Sequence, residues 1–177
     1  GVGLRVDGEL RCSGVAGFFV RWKRSPFKSR DGKPALLRLR LPSVAPELGE
    51  ERFAEDLPIR DDQAKLFAAA ANDPNPLHLD DRFAKMAGLP GVILHGLCSM
   101  AFCGRAVLRR LCDDDPARLS ALKVRFSKPA RPGQTLTVRG FAPRVGEGDG
   151  AGDLYPFIAL NDPGDHVITG GEATLIA

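Results

Sequence analysis

Apolar positions recur at intervals of three and four between residues 96 and 111. Leu97, Met100, Ala101, Gly104, Val107, Leu108 and Leu111 fall on one face, and Cys98 and Phe102 make the first turns apolar nearly all round. The pattern predicts a long, buried helix entered through "PGVILHG". Arg105, Arg109 and Arg110 gather in its C-terminal half, where they favour the helix dipole and meet water. Upstream, Ala64, Phe67, Ala68 and Ala71 predict a shorter helix capped by Asp61 or Asp62 and stopping at Asn72. "DRFAKMAG" predicts another, capped by Asp80 and closed by Gly88 ahead of Pro90. Elsewhere the period falls to two. "RFAEDLPI" reads as an extended entry, and "ALKVRFSK", "QTLTVRGFA", "LYPFIAL" and "HVITGGEATLIA" read as four antiparallel strands in a meander. Their turns are "RPG", a Gly-rich loop at 146–152 and "NDPGD", the last placed on an edge hairpin with His166 as a surface residue. Helices followed by strands give an α+β class, with the sheet wrapped around the central helix to cover its apolar surface.

The front of the chain differs. Residues 2–22 carry two strand-like pieces, "VGLRVDGELRCSG" with a D-G turn at 7–8, and "GVAGFFVRW". A stretch with four prolines and many charges then runs from Lys23 to Glu50 and reads as a linker. Residues 1–46 hold ten Lys/Arg against three Asp/Glu, leaving fifteen against nineteen afterwards, so the net charge of +3 divides into +7 and −4. No ordered stacking aromatics or nucleic-acid motif accompany the basic end, so a solvated linker is the simpler reading. The expected division is an N-terminal extension at 1–46 and a main domain at 47–177. No apolar run approaches the roughly 20 residues of a membrane span, and a signal-peptide pattern is lacking, so the cytoplasm is the default expectation. The cysteines at 12, 98, 103 and 112 match no zinc-ligand spacing and read as small, reduced core residues.

Chemistry concentrates in "NDPNPLHLD", residues 72–80. The prolines fix their own φ and push Asp73 and Asn75 away from helical conformation, so the segment is stiff. Asp73 and His78 lie five residues apart and converge only if the chain turns between them, giving a carboxylate–imidazole acid/base pair. A plain helix-to-helix turn with local Asp and Asn bonds would read the same way. The second feature is "ILHGL", where His95 and Gly96 open the long helix and leave backbone N–H groups free to receive an oxyanion. Close helix packing at Gly96 and a capping role for His95 are the structural alternative.

Taken together, "AAANDPNPLHLDDRFAKMAGLPGVILHGLCSMAF" resembles the signature of the MaoC-like, (R)-specific enoyl-CoA hydratases (hydratase 2), which have the hotdog fold. "FSKPARPGQTL" resembles the strand-turn-strand that follows in that family. The resemblance implies hydration of a trans-2-enoyl thioester to an (R)-3-hydroxyacyl-CoA, or the reverse dehydration. It makes His78 the base for water, Asp73 the proton-transfer group at C2, Asn75 their orienter and the Gly96 amide the donor to the thioester carbonyl. His95, Ser99, Lys123, Arg125, Lys128 and Arg131 become candidate substrate contacts, the last four toward coenzyme A phosphates. No metal and no cofactor beyond the coenzyme A of the substrate is implied. Some single-repeat members carry a serine six residues after the second histidine, where this chain has Ala101, with Ser99 two residues earlier.

"GFFVRWKRSPF" resembles the closing strand and linker of the first repeat in two-repeat hydratases, which implies a homodimer, or a heterodimer with another hotdog repeat. Truncation of residues 1–46 is then expected to weaken association. Two other readings stay open: a hotdog module that binds acyl-CoA or assembles without catalysis, and a hotdog thioesterase. The thioesterase would need a carboxylate on the central helix, and residues 96–111 offer no Asp or Glu.

Overall fold

The structure, a computed structural model, describes residues 2–6, 9–14, 48–144 and 153–176. The chain divides into two compact units, Gly1–Ser43 and Val44–Ala177. In the first, β1 (Val2–Val6) pairs antiparallel with β2 (Glu9–Gly14), Val6 opposite Glu9 and Val2 opposite Gly14. The two halves of the first strand-like piece are therefore the hairpin. Its D-G turn, the "GVAGFFVRW" piece and the basic linker lie outside the described residues.

In the second unit the order is β3 (Glu51–Pro58), α1 (Gln63–Ala71), a 3-10 turn (Pro76–His78), α2 (Asp81–Met86), α3 (Gly96–Leu111), and then β4 (Leu119–Phe126), β5 (Thr135–Phe141), β6 (Leu154–Leu160) and β7 (His166–Leu175). The five strands form one antiparallel sheet in the order β3-β5-β6-β7-β4. Only β5, β6 and β7 make the expected meander. β4 lies at the opposite edge from β3, and residues 127–134 cross between the two sides instead of closing a hairpin. The crossing has backbone anchors along its length: Ser127 N–H donates to Val167 O, Leu94 N–H to Ala130 O, and Ile59 N–H to Gln134 O. The alternating pattern of β4 and β5 specifies strands but not partners, because period two is the same in every register. For the same reason the "NDPGD" turn, taken for an edge hairpin, joins the interior strands β6 and β7. His166 at its end is exposed, as expected.

α3 meets the sheet through small side chains. Cys98, Cys103, Ala106 and Val107 are buried against a core that includes Leu136, Val138, Phe157, Val167 and Ile168. The buried face is therefore rotated from the one expected: Leu97 is 59% exposed, and Ala101 is exposed too. The larger residues of the apolar pattern mark the helix as amphipathic, but Cys and Ala let its axis approach the sheet most closely. A Cβ at Gly104 would already stand 3.4 Å from Leu122. Burial raises the thiol of Cys98 to about 11 and that of Cys103 to about 12. Cys98, Cys103 and Cys112 are free thiols in the core, as the spacing suggested.

Two of the arginines at the end of α3 do more than meet water. Arg109 Nη1 donates to Glu55 Oε1 at 2.9 Å, and Arg110 Nε donates to Glu55 Oε2 at 2.8 Å. Glu55 on β3 is 7% exposed, whereas both guanidinium groups are about half exposed. The fork fastens the C-terminal end of α3 to the edge strand, and the cost of burying the carboxylate is met by two charge-assisted bonds. Replacing both arginines by alanine should strand the carboxylate and cost roughly 2–3 kcal/mol, somewhat less than for a wholly buried pair. Glu55→Gln should cost about 1 kcal/mol, since its amide still accepts one bond. Urea unfolding midpoints of the two variants check this order.

Candidate active site

The site is made where α1 stops. Asn72 takes a left-handed conformation (φ 51°, ψ 43°), and the N–H groups of Asn72 and Asp73 both turn back to Ala68 O. Asn is among the residues that tolerate this geometry best, which explains the sharp end of the helix. Pro74 and Pro76 keep the following chain out of helix. Asn75 Oδ1 then accepts from Leu77 N–H at 3.1 Å, and Asn75 O accepts from His78 N–H at 3.0 Å. Asn75, expected to orient the acid/base pair, thus caps the 3-10 turn that carries His78. Asp80 next caps α2, accepting from Arg82 and Phe83 N–H at 2.8 and 3.1 Å. The density of polar residues in this connector follows from two successive caps in nine positions.

His78 is half-buried, and its Nδ1 lies 2.9 Å from Ile93 O. A carbonyl only accepts, so Nδ1 carries the hydrogen, and the neutral ring presents a lone pair at Nε2. That is the form of a base. Burial pushes His78 below the usual imidazole range, His95 adds to this, and the Ile93 carbonyl and Asp73 pull the other way without reversing it. The ring is therefore neutral at physiological pH and ready to accept a proton.

His95 lies beneath it. The two rings stack with centroids 3.7 Å apart and planes inclined by 29°. His95 Nε2 is 3.3 Å from Asp73 O and 4.0 Å from Asp73 Oδ2. Asp73, His78 and His95 each place one donor atom within 4.8 Å of those of the other two. This is also a set that a divalent cation would find, but His95 Nε2 is engaged by the Asp73 carbonyl and His78 Nδ1 by Ile93. His95 is the residue before the first helical position of α3, so Gly96 opens the helix beside the cluster. The first-turn amides of an α-helix have no intrahelical acceptor. Gly96 is exposed, and the ring of Phe126 would stand 3.4 Å from a Cβ there. A larger side chain would have to share that space.

The remaining candidates separate. Ser99 is 2% exposed, with Oγ 3.5 Å from His95 O, so it faces the helix backbone. His95 itself is 2% exposed and lies under the reacting groups instead of at a rim. Lys123 pairs with Glu172 at 2.7 Å on the outer side of the sheet. Arg125 and Lys128 are exposed. Arg131 alone of the four basic candidates shares a cavity with His78, a space of about 200 Å³ lined also by Asp61, Lys65, Asp81 and Pro132. Sequence reasoning missed Lys65, Phe67 and Ile93. Lys65 stands on the outer face of α1, Phe67 counts only as one of the apolar positions that predict α1, and Ile93 acts through its carbonyl, which no side-chain pattern reports.

Comparisons with known proteins give the family of the chain. Residues 43–151 match the family model described as "MaoC like domain". A curated relative in Arabidopsis thaliana, named enoyl-CoA hydratase 2, peroxisomal, is 43% identical over 74 residues, covering 42% of this chain and 24% of its own length. The chain spans about a quarter or less of the length of the first curated relatives it matches. Among solved structures, full-length peroxisomal multifunctional enzyme type 2 from Drosophila melanogaster superposes with a TM-score of 0.63 and 35% identity, over 81% of this chain and 25% of that one. An R-hydratase from Pseudomonas aeruginosa in the unliganded form gives 0.60 and 26%, over 74% of this chain and 81% of that one. With its five-stranded antiparallel sheet around α3 and a family match over well over half its residues, the chain is a hotdog-fold member of the MaoC-like family.

Proposed function

We propose that this chain hydrates trans-2-enoyl thioesters of coenzyme A to the (R)-3-hydroxyacyl form, or catalyses the reverse dehydration. The observation that carries the reading is the convergence of Asp73 and His78 beside the opening residue of α3. Water held between the two gives a proton to His78 Nε2 as its oxygen bonds to C3 of the substrate, and that proton, relayed through the Asp73 carboxylate, is delivered to C2 on the same face, so both parts of water are added and the pair returns to its starting state. Negative charge that develops on the thioester oxygen is met by the Gly96 amide, aimed along the helix dipole. Addition of both parts of water from one side gives syn geometry. Proton transfer and oxyanion stabilisation suffice for this reaction, so it calls on neither metal nor further cofactor. Arg131 and Lys65, at the cavity that His78 lines, suit the anionic groups of a coenzyme A or acyl-carrier thioester. The Arabidopsis relative is named peroxisomal. Among the described residues no helix is long and apolar enough to cross a membrane.

A thioesterase reading is weaker, because α3 carries no carboxylate. A purely binding module would not need His78 held in its basic tautomer by Ile93.

The working unit is a pair of hotdog repeats, by homodimerisation or with another chain. β4 is an edge strand, and Leu97 and Phe126, 59% and 49% exposed, stand near the site at the start of α3 and the end of β4. Such an edge and patch favour a second sheet. Sedimentation velocity at tens of micromolar is expected to give a species larger than one chain, and Leu97→Glu with Phe126→Glu should lower its mass. A monomer with full activity overturns the pairing.

Asp73→Asn and His78→Gln should each lower hydration of crotonyl-CoA by about 10²- to 10⁴-fold while leaving the circular dichroism spectrum intact. Loss of the conjugated thioester absorbance is the readout, and near-normal turnover in either folded variant removes the acid/base assignment. Because His78 acts as a neutral base with its pKa lowered, kcat/KM should hold through neutral pH. It should fall only on an acid limb whose midpoint lies below the ordinary imidazole value of about 6.5. A pH profile with a midpoint above that value contradicts the environment described for His78.

A further inference from the structure

We infer that His95 is a positioning residue that locks the Asp73–His78 pair to the start of α3. The inference rests on the acid/base reading above and deepens it. Three contacts converge on this one side chain, and its backbone leads into α3. Its ring stacks on His78 at 3.7 Å between centroids. Phe67 of α1 lies at 4.9 Å, tilted by 45°. Its Nε2 reaches the Asp73 carbonyl at 3.3 Å. Its backbone, extended at φ −59° and ψ 137°, sets the position of Gly96. Asp73, His78 and Gly96 thus hang on one buried residue from three separate elements.

The hydrogen bonding shows that this is more than packing. The Asp73 carbonyl only accepts, so Nε2 carries the hydrogen and Nδ1 holds a lone pair. Nδ1 is buried without any partner, the one such side-chain atom among the described residues. A residue that only filled space here would be better apolar, since unpaired buried polar atoms are costly. What an imidazole adds over phenylalanine is the Nε2–H bond that fixes the Asp73 backbone. What it adds over an amide is the flat face that fixes the His78 ring. The two jobs together need both a donor and a ring.

The groups that face His78 are Asp73 and His95 across the cluster, and Asp61, Lys65, Asp81 and Arg131 around the cavity. Replacing His95 changes only one of these. It also removes a neighbour whose charge, once it too takes a proton in acid, opposes protonation of His78, so the acid limb of the rate profile should move to higher pH.

His95→Phe keeps the face and loses the donor, His95→Gln keeps a donor and loses the face, and His95→Ala loses both. In the full-length chain, kcat for crotonyl-CoA should fall by about 10²-fold for alanine, the scale at which small misplacements of reacting groups act. Phenylalanine and glutamine should lie between alanine and the parent, all with KM changed by less than about threefold. His95→Phe should also raise the midpoint of the acid limb. Within a His78→Gln background, His95→Ala should add clearly less than it costs alone, because the part of its effect that acts through the His78 ring is already lost. If alanine does not fold, the phenylalanine and glutamine variants decide alone. Folded His95→Phe and His95→Gln with parental kcat and an unmoved acid limb overturn the positioning role while the acid/base reading stands. Harmless Asp73→Asn and His78→Gln substitutions overturn both.

Discussion

Close approach of α3 to its sheet is the constraint on which the rest depends. A helix can lie deep in a curved sheet only if the face it presents is narrow, and Cys98, Cys103, Ala106 and Val107 make it so. Every exit from that helix is then tied down. At the C-terminal end Glu55 fastens Arg109 and Arg110 to β3. At the N-terminal end Leu94 N–H donates to Ala130 O of the crossing segment, and Ile93 O holds His78. The site is built at the second of these ends, where a rigid helix start meets a rigid connector. Precision at the site therefore derives in part from the packing of α3 on its sheet.

The connector gains its stiffness by local means. A left-handed Asn72, two prolines and the caps of Asn75 and Asp80 leave few free torsions between α1 and α2. Little ordering remains to be done when a substrate arrives. The electrostatics follow the same logic: His78 is half in protein and half toward the cavity, so burial lowers its pKa without preventing it from taking a proton. Asp73, exposed on the other side, supplies a charge that would favour the protonated ring during turnover. A base that is neutral at rest and tolerated as a cation has the properties that reversible proton transfer asks for.

Apolar surface beyond the site has a clear distribution. Leu97 and Phe126 stand beside Gly96, whereas Phe83 and Met86 project from α2, 42% and 80% exposed. Exposed large side chains next to a reaction centre fit a site completed by a second repeat and closed from water by it. Water is a substrate of the proposed reaction, so exclusion has to be selective. Holding one molecule between Asp73 and His78 meets that need better than an open cleft.

Much of this was legible in the sequence because it is local. The cap at Asp80, the prolines and the stop at Asn72 act over four residues, and they announced the end of α1, the turn and α2; Asp62 does stand at the N-cap of α1, but its carboxylate accepts from Arg60 instead of capping the helix. The apolar period announced α3 and the strands, and "DPNPLH" with "LHG" announced the cluster of Asp73, His78 and His95 at the start of α3. Three features were not legible, each for a reason of distance. The crossing of 127–134 depends on which strands β4 and β5 choose, and alternation is blind to partner. The face that α3 buries was misjudged because hydrophobicity ranks leucine above cysteine and alanine, while depth of burial at a close contact is set by size. The stack of His95 on His78 joins residues seventeen apart in sequence through a fold neither of them specifies. The sequence by itself determined the elements and the chain positions of the candidate groups; only tertiary structure decided which nitrogen of each histidine is free, because the carbonyls of Ile93 and Asp73 that engage them are brought there by packing.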